Sequence, residues 1–129
     1  MPVVVDASAL VELLLQSERA PAVLQAVGAT DMVAPDTINP EVLSTLRRFE
    51  RIGELRAGRA IQAVDDLLDA DVRRFPTLPL LPESWALRAN LTPYDACYVA
   101  LSRELRCPLV TADLKLSRVP GLGVPLITV

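Results

Sequence analysis

Residues 3–5 read Val-Val-Val and stop at Asp6. A run that is apolar and β-branched at every position has no polar face, so it belongs to a strand buried on both sides. Such strands lie in parallel sheets, where helices cover both faces and carry the chain from one strand to the next by right-handed crossovers. The rest of the chain carries the matching punctuation. Ser8 to Leu15 reads as a helix, and Ser17 is a candidate N-cap for a second one that ends at Gly28. Met32-Val33-Ala34 is a second short strand. Asn39-Pro40-Glu41 predicts a helix start, with Asn as the cap, Pro at the first helical position and an acid in the first turn. Val42, Leu43, Leu46 and Phe49 follow at helical spacing up to Gly53.

A further helix is expected from Leu55 to Asp69, with Ile61, Val64, Leu67 and Leu68 facing inward. Arg73 to Leu78 reads as a third strand, and Glu83 to Asn90 as a short helix carrying Trp85. Thr92-Pro93-Tyr94-Asp95 marks another helix start, with Asp95 three residues after the cap. That helix runs to Arg106, before Cys107-Pro108. Leu109-Val110-Thr111 is a fourth strand, Asp113 opens a short helix, and Val124 to Val129 is the last strand. Strands alternating with helices predict an α/β fold, a parallel sheet in the order 3-2-1-4-5 flanked by helices. With 129 residues, 51% of them apolar and 22% charged, a single packed domain spanning residues 1–129 is expected.

Composition narrows the chemistry. There is no histidine, which removes His-based triads and His-ligated zinc. Two cysteines, Cys97 and Cys107, are too few for a disulfide scaffold or a four-cysteine metal site and read as small buried apolar residues. A net charge of −3 argues against a general nucleic-acid coat, though not against an enzyme that touches nucleic acid locally. The first apolar run is far shorter than a signal-peptide core, and no stretch approaches a membrane span, so a cytoplasmic protein with no membrane contact is expected.

What remains is carboxylates at the ends of strands. In an open parallel sheet, ligands bind beyond the carboxyl ends of the strands, where strand order reverses. Asp6 follows the first strand and Asp113 the fourth, and Glu41 and Asp95 sit in first turns of helices entered from that end. Each acid alone has an ordinary reading as a cap or as a partner of the helix dipole. Four carboxylates gathered in one crevice are another matter, since each close pair repels by about 1–4 kcal/mol. A hard divalent cation, Mg²⁺ or Mn²⁺, would resolve that repulsion with oxygen ligands alone, and hydrolysis of a phosphodiester is the reaction such a site supports best. Ser8 and Thr111 lie beside Asp6 and Asp113, placed to hydrogen-bond the carboxylates or read equally well as turn hydroxyls.

The segments Val3-Val4-Val5-Asp6-Ala7-Ser8, Pro40-Glu41-Val42, Thr92 to Leu101 (TPYDACYVAL) and Leu109-Val110-Thr111-Ala112-Asp113 resemble, in order, the successive motifs of PIN-domain ribonucleases. In particular they are similar to those of the VapC toxins of toxin–antitoxin pairs, and the resemblance covers nearly the whole chain. It implies a Mg²⁺- or Mn²⁺-dependent endoribonuclease with Asp6, Glu41, Asp95 and Asp113 as the acidic site. It further implies a homodimer, a cognate VapB-type antitoxin whose tail enters the acidic groove, and a structured RNA target such as tRNA or ribosomal RNA. Some members of that family carry another acid three or four residues after the last Asp, where this chain has Leu116 and Ser117, which leaves the number of metals open.

Two other enzyme and signalling classes fit less well. A phosphatase with an Asp nucleophile of the haloacid-dehalogenase kind wants a second acid where Ser8 stands, and a phospho-acceptor receiver wants an acid on the strand between Arg73 and Leu78. A catalytically silent PIN-like module for RNA or protein binding is the remaining alternative, and it predicts the loss of at least one of the four acids. Arg47, Arg48 and Arg51 form the densest basic stretch. Interleaved Glu50 and Glu54 suit an ion-paired surface for Arg47 and Arg51, while Arg48, two turns after Glu41, is a candidate RNA contact. Tyr98 is expected in the core, and Trp85 as a core or interface anchor.

Overall fold

The computed structural model describes residues 1–129 and places Val3, Val4 and Val5, all buried, in β1 (Pro2–Val5) at the centre of a five-stranded sheet. β2 (Asp31–Pro35) and β4 (Leu109–Thr111) flank it, and β3 (Val72–Phe75) and β5 (Leu126–Thr128) form the edges. The order is β3-β2-β1-β4-β5 with every pairing parallel, as the alternation of strands and helices predicts. Val4 pairs with Val33 on one side and Leu109 on the other, which fixes the carboxyl ends of β1 and β4 side by side. The first amide beyond β1, that of Asp6, still donates to the carbonyl of Val110 at 3.1 Å. Asp6 therefore leaves the sheet directly beside Thr111.

Six α-helices link the strands: α1 (Ala7–Leu15), α2 (Ala20–Val27), α3 (Ile38–Arg51), α4 (Ala57–Asp69), α5 (Leu81–Ala86) and α6 (Pro93–Leu105). Two 3-10 turns, Leu78–Leu80 and Leu114–Arg118, complete the chain. α6 packs on β1, β2 and β4, and residues Ala96 to Ser102 are buried without a break, so this helix runs through the core. α1 packs on α2, α3, α4 and β4. Gly28 ends α2 as expected, at a positive φ of 60° that an L side chain rarely adopts.

Several local expectations shift. α3 begins at Ile38, with Thr37 rather than Asn39 at the cap position. Pro40 is tolerated there because the first four N–H groups of a helix have no partner within it. The Asn39 side chain is engaged elsewhere, accepting from Arg74 Nε at 3.0 Å and tying the start of α3 to β3. Ser17 does not cap α2, although its hydroxyl accepts the Arg19 amide at 3.2 Å. α4 starts at Ala57, not Leu55, and its inner face is Ala60, Ala63 and Leu67, while Ile61 and Leu68 are 64% and 78% exposed. The third strand ends at Phe75, and the helix expected over Glu83–Asn90 is instead the 3-10 turn plus α5. Cys97 and Cys107 are free thiols in the interior.

Candidate active site

Asp6 is held more completely than any other acid of the chain. It caps α1, with Oδ1 accepting the Ala9 amide at 3.0 Å and the Ser8 hydroxyl at 2.6 Å, while Oδ2 accepts the Thr111 hydroxyl. Both hydroxyls also accept from the loop after β4: Ser8 Oγ from the Ala112 amide and Thr111 Oγ1 from the Asp113 amide, each at 2.9 Å. A hydroxyl has one proton, so with both protons committed to Asp6 the 3.3 Å approach of Ser8 to Thr111 is not itself a bond. The loop that carries Asp113 is thus bound to Asp6 through two bridging hydroxyls. Asp113 in turn caps the 3-10 turn, accepting the Lys115 amide at 2.9 Å.

Glu41 lies in the first turn of α3, and Tyr98 from α6 donates its phenol to Glu41 Oε2 at 2.6 Å. Tyr98 is buried, as a core residue would be, yet its polar end reaches the cleft. Sequence reasoning missed this link to Glu41. The available signal was that Tyr98 stands three residues after Asp95 on α6, hence on the same side of the helix. Asp95 occupies the first turn of α6, whose cap is Thr92, the Thr92 hydroxyl accepting the Asp95 amide at 3.2 Å.

These four acids line one open cleft of about 600 Å³, together with Arg48, Ser8 and Tyr98. Their electrostatics record the crowding. Burial lifts the carboxyl of Asp6 above its ordinary value against the opposing pull of the Ser8, Thr111 and Ala9 hydrogen bonds, and the charge of Asp95 lifts it further. Burial likewise raises Glu41, where the Tyr98 bond lowers it and Asp95 and Asp6 raise it again. Asp95 is raised by burial and by Asp113, with Thr92 and Lys115 pulling the other way. The Tyr98 phenol is driven far above its ordinary value by burial and by Glu41, so it remains a proton donor. The donor set is all oxygen, which suits a hard divalent cation and no soft one. No group of three or more acids, however, stands at positions that would grip a metal ion as they are. The chemistry of the donors fits, and their convergence is incomplete.

The profile of the PIN domain family matches residues 3–122. Ribonuclease VapC9 of Mycobacterium tuberculosis is 39% identical over 130 residues, which cover 98% of this chain and 98% of that protein. The chain belongs to the PIN domain family, among the VapC ribonucleases. Ribonuclease VapC1 of the same organism is 40% identical over 124 residues, or 92% of this chain and 91% of that one. Among solved structures, PAE2754 from Pyrobaculum aerophilum superposes with a TM-score of 0.71 at 21% identity, covering 98% of this chain and 84% of that one. VapBC2 from Rickettsia felis, bound to a DNA fragment from its promoter, gives 0.68 at 12% identity, over 98% and 97%. At such identities these two speak for the fold alone, and it is the PIN fold.

Proposed function

We propose that this PIN domain, residues 1–129, is the toxin of a type II toxin–antitoxin pair and an endoribonuclease that hydrolyses phosphodiester bonds in structured RNA, tRNA or ribosomal RNA. The observation that carries the reading is the meeting of Asp6, Glu41, Asp95 and Asp113, from four separate segments, in one cleft of a chain 39% identical to a named ribonuclease. Asp6, Glu41, Asp95 and Asp113 would hold Mg²⁺ or Mn²⁺. Such a cation, when bound, lowers the pKa of water and offsets the charge that builds on a phosphodiester during hydrolysis.

The chain's own contribution is orientation. An ionised carboxylate offers about four acceptor positions. Three donors occupy Asp6, leaving roughly one for a ligand in the cleft. Ser8 and Thr111 therefore act as positioning residues, since they aim that remaining lone pair and hold the Asp113 loop against it. Tyr98 does the same for Glu41 by occupying one of its oxygens. Asp95 and Asp113, half-buried, are the less restrained pair of the four.

The partners that go with this reading are a VapB-type antitoxin, the RNA substrate and a second copy of the chain, in the cytoplasm. No helix is long and apolar enough to cross a membrane. The incomplete convergence of the acids is the one observation that favours a silent binding module instead. Thermal melting of wild type and Asp95→Asn, with and without millimolar Mn²⁺, separates the two. A cation at ten times its Kd stabilises the folded chain by about 1.4 kcal/mol, which is a few degrees at this size. A rise for wild type that Asp95→Asn lacks supports the metal site, and RNA cleavage abolished by EDTA completes the test. No response from either protein defeats the metal-dependent reading.

A further inference from the structure

The cleft does not end at the acids. Arg48 lines it, and the same side chain lines an adjoining groove of about 440 Å³ whose walls are Ser44, Thr45, Arg47, Arg48, Arg51 and Ile52. All come from one side of α3 or, for Ile52, from its C-cap, at the spacing of neighbours along a helix. Going along that side from Glu41, the chain passes Ser44 and Thr45, then Arg48, then Arg51. At about 1.5 Å per residue, Arg48 lies about 10 Å beyond Glu41 and Arg51 about 15 Å beyond it.

The three arginines have no acidic partner. The single ion pair of the structure is Arg103 with Glu83, so Glu50 and Glu54 do not neutralise Arg47 or Arg51 as an ion-paired surface would require. The three side chains are exposed, and Arg48 has only the ring of Phe49 beneath it, 5.4 Å away. A second groove also reaches Arg48 but mixes charge, with Glu12 and Asp113 beside Lys115. The groove along α3 carries three cations and no carboxylate. It is the side on which a polyanion leaving the acidic cleft meets no repulsion.

Resting on the ribonuclease reading, we propose that a single RNA strand leaves the cleft along α3 with successive phosphates on Arg48, Arg47 and Arg51, and that this one-sided track sets which bond lies over the acids. Phosphate contacts position a nucleic acid without reading its sequence, so the track fixes register and direction, while base choice lies elsewhere. Arg48 at the rim orients the strand nearest the acids. Arg47, which lines the groove but not the acidic cleft, and Arg51, one turn on from Arg47, hold the strand outside the cleft.

The test is fluorescence anisotropy with a labelled 20-nucleotide RNA that has no self-complementarity, on the Asp95→Asn background without metal, across a salt series. Each phosphate contact on a single strand contributes about 0.7 to the slope of log K against log salt. Arg47→Ala/Arg51→Ala is expected to weaken binding roughly tenfold and to flatten the slope by about 1.4. Arg56→Ala/Arg118→Ala removes the same charge away from the groove, at exposed positions, and is expected to leave the slope unchanged. An unchanged slope in the first pair, or an equal loss in the second, overturns the track. Because the readout is binding in the absence of metal, its failure is distinct from a failure to cleave, which would overturn the ribonuclease reading instead.

Discussion

The phenol of Tyr98 on α6 donates a 2.6 Å hydrogen bond to the carboxylate of Glu41 on α3, so an aromatic residue of the core sets the orientation of an acid at the cleft. The ring supplies packing and the hydroxyl supplies direction. The two can be separated by removing one oxygen.

Tyr98→Phe keeps the ring and deletes the donor. A hydrogen bond to a charged group contributes about 1.5–3 kcal/mol, and a loss toward the lower end is expected because Glu41 is only half-buried and water can replace the phenol. The phenol lowers the Glu41 carboxyl, so its removal raises that carboxyl further. The acidic limb of kcat/KM against pH is therefore expected to move to higher pH. Urea unfolding at pH 7 and a pH–rate profile are the two measurements, and an unmoved acidic limb would separate Tyr98 from the ionisation of Glu41.

Asp95→Asn tests the cost of crowded charge. Burial and Asp113 hold the Asp95 carboxyl above its ordinary 3.8. Between that value and the raised one the folded chain binds more protons than the unfolded chain, so stability falls as pH rises through this window. The penalty is then present in full at neutral pH. Asn carries no charge. In EDTA at pH 7 the variant is expected to melt a few degrees above wild type, and the gap is expected to narrow as the pH falls toward the ordinary 3.8 and to vanish about a unit below it, where Asp95 is protonated in both states. A variant that melts lower at pH 7 would make Asp95 a structural residue of the helix start.

Thr111→Val is nearly isosteric and leaves unpartnered the buried Asp6 Oδ2 and the part-buried amide of Asp113. Leaving such groups unsatisfied costs about 1–3 kcal/mol, more where one is charged, so a loss of about 3 kcal/mol in urea unfolding is expected. Thr111→Ser, which restores the hydroxyl, is expected to recover most of it. Equal losses in the two variants would assign the effect to the methyl group.

Leu78, Leu81 and Trp85 lie at i, i+3 and i+7 across the 3-10 turn and α5, and they are 75%, 50% and 67% exposed. This exposed apolar side is where the contact of the proposed homodimer is tested. Trp85→Glu is expected to shift the molar mass by light scattering from two chains to one without loss of helical signal. A variant that remains dimeric would place the dimer contact on another face.

The strands and their order were legible because a buried parallel strand has a signature that little else shares, as Val3-Val4-Val5 and Leu109-Val110-Thr111 illustrate. The gathering of the acids was legible for the same reason, since strand order alone brings Asp6 beside Asp113. Phase was harder to read than period. α4 has a regular apolar pattern, but alanine is apolar too, and the small faces of Ala60 and Ala63 turned inward where Ile61 and Leu68 were expected. Trp85 was expected as a core or interface anchor, and its 67% exposure takes it out of the core of the single chain. Arg47 and Arg51 form no ion pair with the nearby glutamates: Glu54 lies beyond the end of α3, and Glu50 is the immediate neighbour of Arg51, a spacing at which helix side chains do not face each other. The bond of Tyr98 to Glu41 joins two helices far apart in the chain, and no local pattern announces it.

The central place of β1 has a consequence in time. A nascent chain that has emerged through Leu105 already holds Asp6, Glu41 and Asp95, yet it lacks both Thr111 and Asp113. One long edge of its valine strand is bare, and the first acid is missing one of its three donors. The cleft gains its fourth acid, and Asp6 its third donor, only when β4 pairs beside β1. The four-acid cleft is therefore not assembled until the residues through Asp113 have emerged, however early its first acid is made.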